Sequence, residues 1–113
     1  MKKIMITLSV LIVIVLFACG KGSVDYNADC STTKSYTSDV SPIVQSYCAT
    51  NSGCHATGST NGPGALTTYA QVYSARAAIR TAVANGSMPE NGSLTNDQKN
   101  AIICWIDNGA ANN

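Results

Sequence analysis

This sequence of 113 residues has little charge and almost no histidine. Seven Lys and Arg stand against six Asp and Glu, and there is one His, one Trp and one Phe. So few cations make no basic stripe, which excludes the electrostatic footprint of a nucleic-acid-binding protein. A single His leaves few routes to acid–base chemistry, and neither a nucleophile–base pair nor a carboxylate dyad is visible, so no enzyme is expected. No stretch alternates apolar and polar residues with a period of two, so strands are not expected. There is no internal repeat, and the length leaves room for one domain. The one long apolar run, Ile4 to Ala18, is shorter than the roughly 20 residues that a spanning helix needs.

That run has the parts of a secretory signal. Lys2 and Lys3 precede it, only Thr7 and Ser9 interrupt it, and the small residue Ala18 leads into Cys19. Leu16-Phe17-Ala18-Cys19 resembles the lipobox of bacterial lipoproteins. The resemblance implies that residues 1–18 are a signal peptide cut before Cys19, which is then acylated. Each buried methylene contributes about 0.8 kcal/mol, so two or more acyl chains hold a protein on a lipid bilayer. The rest of the chain would be exported, anchored to the cell-envelope membrane and facing the periplasm or the exterior. An uncleaved N-terminal anchor, the alternative, also places it outside the cytoplasm. Without the signal, five Lys and Arg remain against six Asp and Glu, close to neutral.

Residues 19–38 are rich in Gly, Ser, Thr, Asp and Asn and read as a flexible tether. The folded domain is expected over 39–113. Ser41 suits a helix cap and Pro42 a first turn, with Val40, Ile43, Val44 and Tyr47 on one face. A second helix is expected from the capping box Thr68–Gln71, through Val72, Ala75, Ile79 and Val83, to Asn85-Gly86. Arg76 and Arg80 lie four apart on it and read as exposed charge. A third is expected from the capping box Thr95–Gln98, with Ile102, Trp105 and Ile106 inward, to Asn108-Gly109. The fold class is all-α, about three main helices with long loops. A domain of about 70 residues rarely holds together on one core without a staple or a large cofactor.

The segment Cys48-Ala49-Thr50-Asn51-Ser52-Gly53-Cys54-His55 carries the chemistry. Two thiols with a histidine directly after the second are the attachment pattern of c-type heme. The usual spacing between the cysteines is two residues; here five intervene. His55 is the only His, and Met88 is the only Met beyond the signal. Each lies in a polar loop between helices, whereas a core Met more often sits on an apolar face. Gly62-Pro63-Gly64-Ala65-Leu66 and Met88-Pro89 follow in order, and Trp105 stands on the last helix. Taken together the domain resembles a small c-type cytochrome. The resemblance implies one covalent heme c held by Cys48 and Cys54, with His55 and Met88 as iron ligands and the Pro63 carbonyl orienting His55. It implies single-electron transfer with a redox partner protein at the membrane. The alternative is a heme-free, disulfide-stapled binding or structural module, in which Cys48 and Cys54 bond to each other.

If porphyrin takes Cys48 and Cys54 and lipid takes Cys19, then Cys30 and Cys104 remain. Their disulfide is expected to pin the tether to the last helix. Four non-lipidated cysteines allow three connectivities, so the sequence leaves this pairing open, with Cys104 as a buried free thiol the other reading.

Overall fold

A computed structural model of the chain describes residues 26–113. The expected signal peptide, residues 1–18, and Cys19 lie outside the described residues. Within them every regular element is helical. Helix α1 covers residues 36–48, α2 is Tyr69–Ser74, α3 is Arg76–Asn85 and α4 is Asn96–Asp107.

Helix α1 starts earlier than Ser41. The cap is Ser35, whose hydroxyl accepts from the Ser38 N–H at 3.2 Å, while Asp39 Oδ2 accepts from the Ser35 N–H at 2.7 Å. The next two donors are met from the far end of the chain. Tyr36 N–H donates to Asn113 Oδ1 at 2.9 Å and Thr37 N–H to the Asn113 carbonyl at 2.8 Å. The first turn of a helix has no internal partners for its N–H groups, so Asn113 acts as a cap in space. Both ends of α1 close from i to i−5, as in Val40 N–H to Ser35 at 3.2 Å and Ala49 N–H to Val44 at 2.9 Å. Such turns hold more residues than the 3.6 of an α-helix. The buried stripe therefore falls on every fourth residue, Tyr36, Val40 and Val44. Tyr47, expected inside on a 3.6 period, points outward instead and is 41% exposed.

The Thr68–Gln71 capping box forms with both of its reciprocal bonds. The helix it starts is broken, however, into α2 and α3. Ala75 sits at φ −91°, ψ 1°, and its N–H is shared between the Gln71 and Tyr73 carbonyls, which ends α2. α3 stops at Gly86, left-handed at φ 76°. The Thr95–Gln98 box also forms and opens α4.

α4 is the central element, packed against α1 and α3. It buries Ala101 through Trp105 without a gap. A surface helix buries one stripe only, so its other side must be covered too. Residues 26–35 cover it. The Tyr26 hydroxyl bonds Asn100 Oδ1 at 3.0 Å, the Asp29 N–H bonds the same oxygen at 3.2 Å, and Cys30 is disulfide-bonded to Cys104 across 74 positions. The bridge expected from the resemblance is therefore present. It makes part of the segment read as a tether one wall of the domain. Trp105 meets α1 through Tyr36, ring centroids 5.5 Å apart.

α3 and α4 are also joined by a two-pronged ion pair. Arg80 Nε donates to Asp107 Oδ1 at 2.6 Å and Nη2 to Oδ2 at 2.9 Å. Hydrogen bonding from Arg80 holds the Asp107 carboxyl below its usual range, partly opposed by desolvation. A lowered carboxylate pKa adds stability above the unfolded value, which is lost as pH falls through the folded value. Both groups are about 40% exposed, so water screens the pair to about 0.2–1 kcal/mol. Asp107→Asn should therefore lower the urea midpoint slightly at pH 7 and make no difference once pH is far enough below the usual carboxylate range to protonate the folded chain's Asp107.

Candidate functional site

The loop after α1 is organised by Asn51. Its side-chain oxygen accepts from the Gly53 N–H at 2.9 Å and the Cys54 N–H at 3.1 Å. Its carbonyl accepts from the Cys54 and Ala56 N–H groups, both at 3.0 Å. An Asn side chain that bonds the backbone two residues on makes its own turn. The result is a closed loop, so that the His55 N–H returns to the Cys48 carbonyl at 3.0 Å. The five residues between the cysteines are thus folded away, and His55 is laid beside the end of α1.

Among the described residues His55 is the only buried polar or charged one, at 6% exposure. Its carbonyl accepts from the Leu66 N–H at 2.7 Å, which binds the two arms of the loop together. Its ring Nδ1 lies 2.9 Å from the Gly64 carbonyl. A carbonyl can only accept, so Nδ1 carries the hydrogen, and in the neutral ring this leaves the lone pair on Nε2. The resemblance to c-type cytochromes assigns this task to Pro63. The oxygen in place belongs to the next residue, and Pro63 lines the cavity wall instead. Gly64 is left-handed at φ 97°, a conformation that strains any residue with a Cβ, and this turn presents its carbonyl to the ring.

His55 faces a cavity of about 650 Å³. Cys48, Cys54, Pro63 and Met88 line the same cavity. These candidate site residues, drawn from 41 positions of chain, therefore share one space. Met88 reaches it because α3 ends sharply: after Gly86 the Met88 N–H turns back to the Ala82 carbonyl at 3.3 Å. What the sequence reading missed is the rest of the wall. Val44, Leu66, Ile79 and Val83 line it and are nearly buried. Their helical spacing marked them as core, which is correct, but part of that core faces the cavity. The volume lies within the roughly 300–1,000 Å³ of sites that enclose a small organic ligand.

Cys48 and Cys54 are unbonded. Burial pushes the Cys48 thiol above its usual range, with a smaller push from Cys54 nearby. The thiolate is the reactive form of cysteine. Without heme, Cys48 should therefore alkylate slowly at neutral pH and faster as pH rises past the usual thiol range. Peptide mapping of the chain made without heme, after iodoacetamide treatment, should find Cys48 and Cys54 labelled without reductant, and Cys30 and Cys104 only after reduction. Finding Cys48 joined to Cys54 would contradict the arrangement described.

Among the described residues no three His, Cys, Asp or Glu side chains gather into a metal site. No helix among them is long and apolar enough to cross a membrane. No family model, no curated protein and no solved structure matches the chain.

Proposed function

We propose that this chain is an exported, lipid-anchored mono-heme c-type cytochrome that carries single electrons. The observation that supports it most is one cavity holding the lone His, the only Met after the signal run and two unbonded thiols. One imidazole and one thioether are too few ligands to keep an ion unaided. They are the number needed by an iron whose other four ligands come from a macrocycle. The apolar walls and the volume of the cavity fit such a flat, largely apolar group.

Cys48 and Cys54 would hold the porphyrin through thioethers, and His55 Nε2 and Met88 Sδ would ligate its iron. Bound heme supplies an iron that gains and loses one electron. The chain does the rest. The Gly64 carbonyl holds the His55 ring in one tautomer and raises its basicity as a ligand. Val44, Leu66, Ile79 and Val83 keep water from the cavity wall. Met88 as a ligand would favour the reduced state, since thioether ligation raises the potential. With both His55 and Met88 on the iron, the site would suit electron transfer rather than binding of oxygen or substrate. Acylation at Cys19 would keep the carrier beside a membrane-bound redox partner.

The second reading is a heme-free module stapled by disulfides, and the Cys30–Cys104 bridge fits it equally well. The free thiols beside His55 favour the heme reading. The test is the ferrous protein's response to carbon monoxide. The native chain, matured with heme, should bind it poorly. Met88→Ala should bind it readily and lose the weak sulfur-to-iron band at the red end of the ferric spectrum. An unchanged band would remove Met88 from the ligand set.

A further inference from the structure

An asparagine followed by glycine is a pair in which a chain can react with itself. The glycine has no Cβ to shield its amide nitrogen, and its backbone turns freely. The sequence holds four such pairs, Asn61-Gly62, Asn85-Gly86, Asn91-Gly92 and Asn108-Gly109, and all four are exposed. Three of them are held. The Asn61 side-chain amide donates to the Gly53 carbonyl, and the Asn61 carbonyl accepts from the Gly64 N–H at 2.5 Å. Asn85 Oδ1 accepts from the Ser87 N–H at 2.8 Å, and the Gly86 N–H donates to the Val83 carbonyl at 3.3 Å. The Gly109 N–H donates to the Ile106 carbonyl at 3.1 Å. Asn91 and Gly92 differ: neither makes a hydrogen bond to any other described residue. They lie in the loop between α3 and α4, with open space beside the Gly92 α-carbon.

From this difference we infer that Asn91 is a site of spontaneous deamidation, converted in the folded chain to aspartate and its β-linked isomer ahead of the other three pairs. The Gly92 amide nitrogen loses its proton to water or hydroxide and attacks Asn91 Cγ. The N–Cγ bond forms as the Cγ–Nδ2 bond breaks, and Nδ2 takes a proton from solvent and leaves as ammonia. Water then opens the five-membered imide at either carbonyl. One water enters, one ammonia leaves, and nothing is oxidised or reduced. In the other pairs a hydrogen bond must break first, which slows the step about fivefold. Asn91 and Glu90 both line the cavity, where Glu90 is the sole carboxylate. The reaction sets a second carboxylate beside it, so the charge of this rim rises with the age of the molecule. The inference goes beyond the carrier reading and does not depend on heme.

The full folded chain should be kept for weeks in mildly alkaline buffer made with heavy-oxygen water. It is then digested briefly at mildly acid pH in ordinary water and mapped by tandem mass spectrometry. Only conversion that precedes digestion carries the heavy oxygen. Asn91 is expected to be labelled about fivefold or more ahead of Asn61, Asn85 and Asn108, the scale of one hydrogen bond. A parallel sample, reduced and unfolded in urea, should convert all four at comparable rates, which assigns the lead to the fold. An unlabelled Asn91 in the folded chain, another pair ahead of it, or the same lead persisting in urea would overturn the inference.

Discussion

Trp105→Ala is expected to lower the stability of the domain by about 3–5 kcal/mol. Trp105 is 1% exposed and lies where α1, α2 and α4 meet. Tyr36 packs at 5.5 Å and Tyr69 at 6.3 Å, the second edge to face. The indole Nε1–H donates to the Ala111 carbonyl at 2.8 Å, which ties down the chain beyond α4. Asn113, two residues further on, caps α1. Truncation therefore opens a cavity and loosens the segment that closes the first turn of another helix. Domains of this kind have only about 5–15 kcal/mol in total, so the variant should lose much of its cooperative unfolding transition. Trp105→Phe keeps most of the ring area and loses the hydrogen bond, so it should cost about 1–2 kcal/mol. Urea titrations followed by far-ultraviolet circular dichroism read both. A cost below about 1 kcal/mol for Trp105→Ala would mean that the aromatic cluster is not the centre of the core.

Removing the Cys30–Cys104 bridge is expected to cost about 4 kcal/mol. The bridge closes a loop of 74 positions, and loop-closure entropy gives about 3 kcal/mol for short loops and nearly 5 for 100 residues. Cys104 is fully buried, so the variant to make is Cys104→Ala with Cys30→Ser, which puts no hydroxyl into the core. The hydrogen bonds of Tyr26 and Asp29 to Asn100 and of Tyr26 to the Asn96 carbonyl, each with a net value of about 1 kcal/mol, and the packing of Tyr26 and Ala28 on the core would then hold the N-terminal segment on α4. Hydrogen exchange along α4 should rise on the side facing residues 26–35. A loss under about 1 kcal/mol would show that the unfolded chain gains little freedom from opening this loop.

The two capping boxes, the glycine end of α3 and the inward Trp105 were all legible because each is set within a few residues. Local hydrogen bonds at Thr68, Thr95 and Gly86 decide them whatever the rest of the chain does. The errors in reading α1 have a different cause. Its start depends on Asn113, the far end of the chain, and its buried face depends on i→i−5 turns that no residue type announces. The break at Ala75 was invisible too, since Val72, Ala75, Ile79 and Val83 keep helical spacing across it. The site was legible as a set of residue types, with His55, Met88, Cys48 and Cys54 standing out by scarcity and order. The contact between His55 and Gly64 was misplaced by one residue, because the choice of carbonyl rests on the left-handed turn at Gly64. The Asn51 loop had a signal in Asn51-Ser52-Gly53, a turn-forming sequence, but not a signal that it would bring His55 back to Cys48.

The central claim is that the cavity holds one covalent heme, and the most direct measurement is of attachment itself. The full chain should be made in a bacterium with c-type maturation active, run on a denaturing gel stained for heme, and quantified as its pyridine hemochrome. The account predicts a stained band and one heme per chain, lost when Cys48 and Cys54 are both replaced by Ala. A folded chain with its Cys30–Cys104 bridge intact, no stain and unmodified or mutually bonded Cys48 and Cys54 would contradict it.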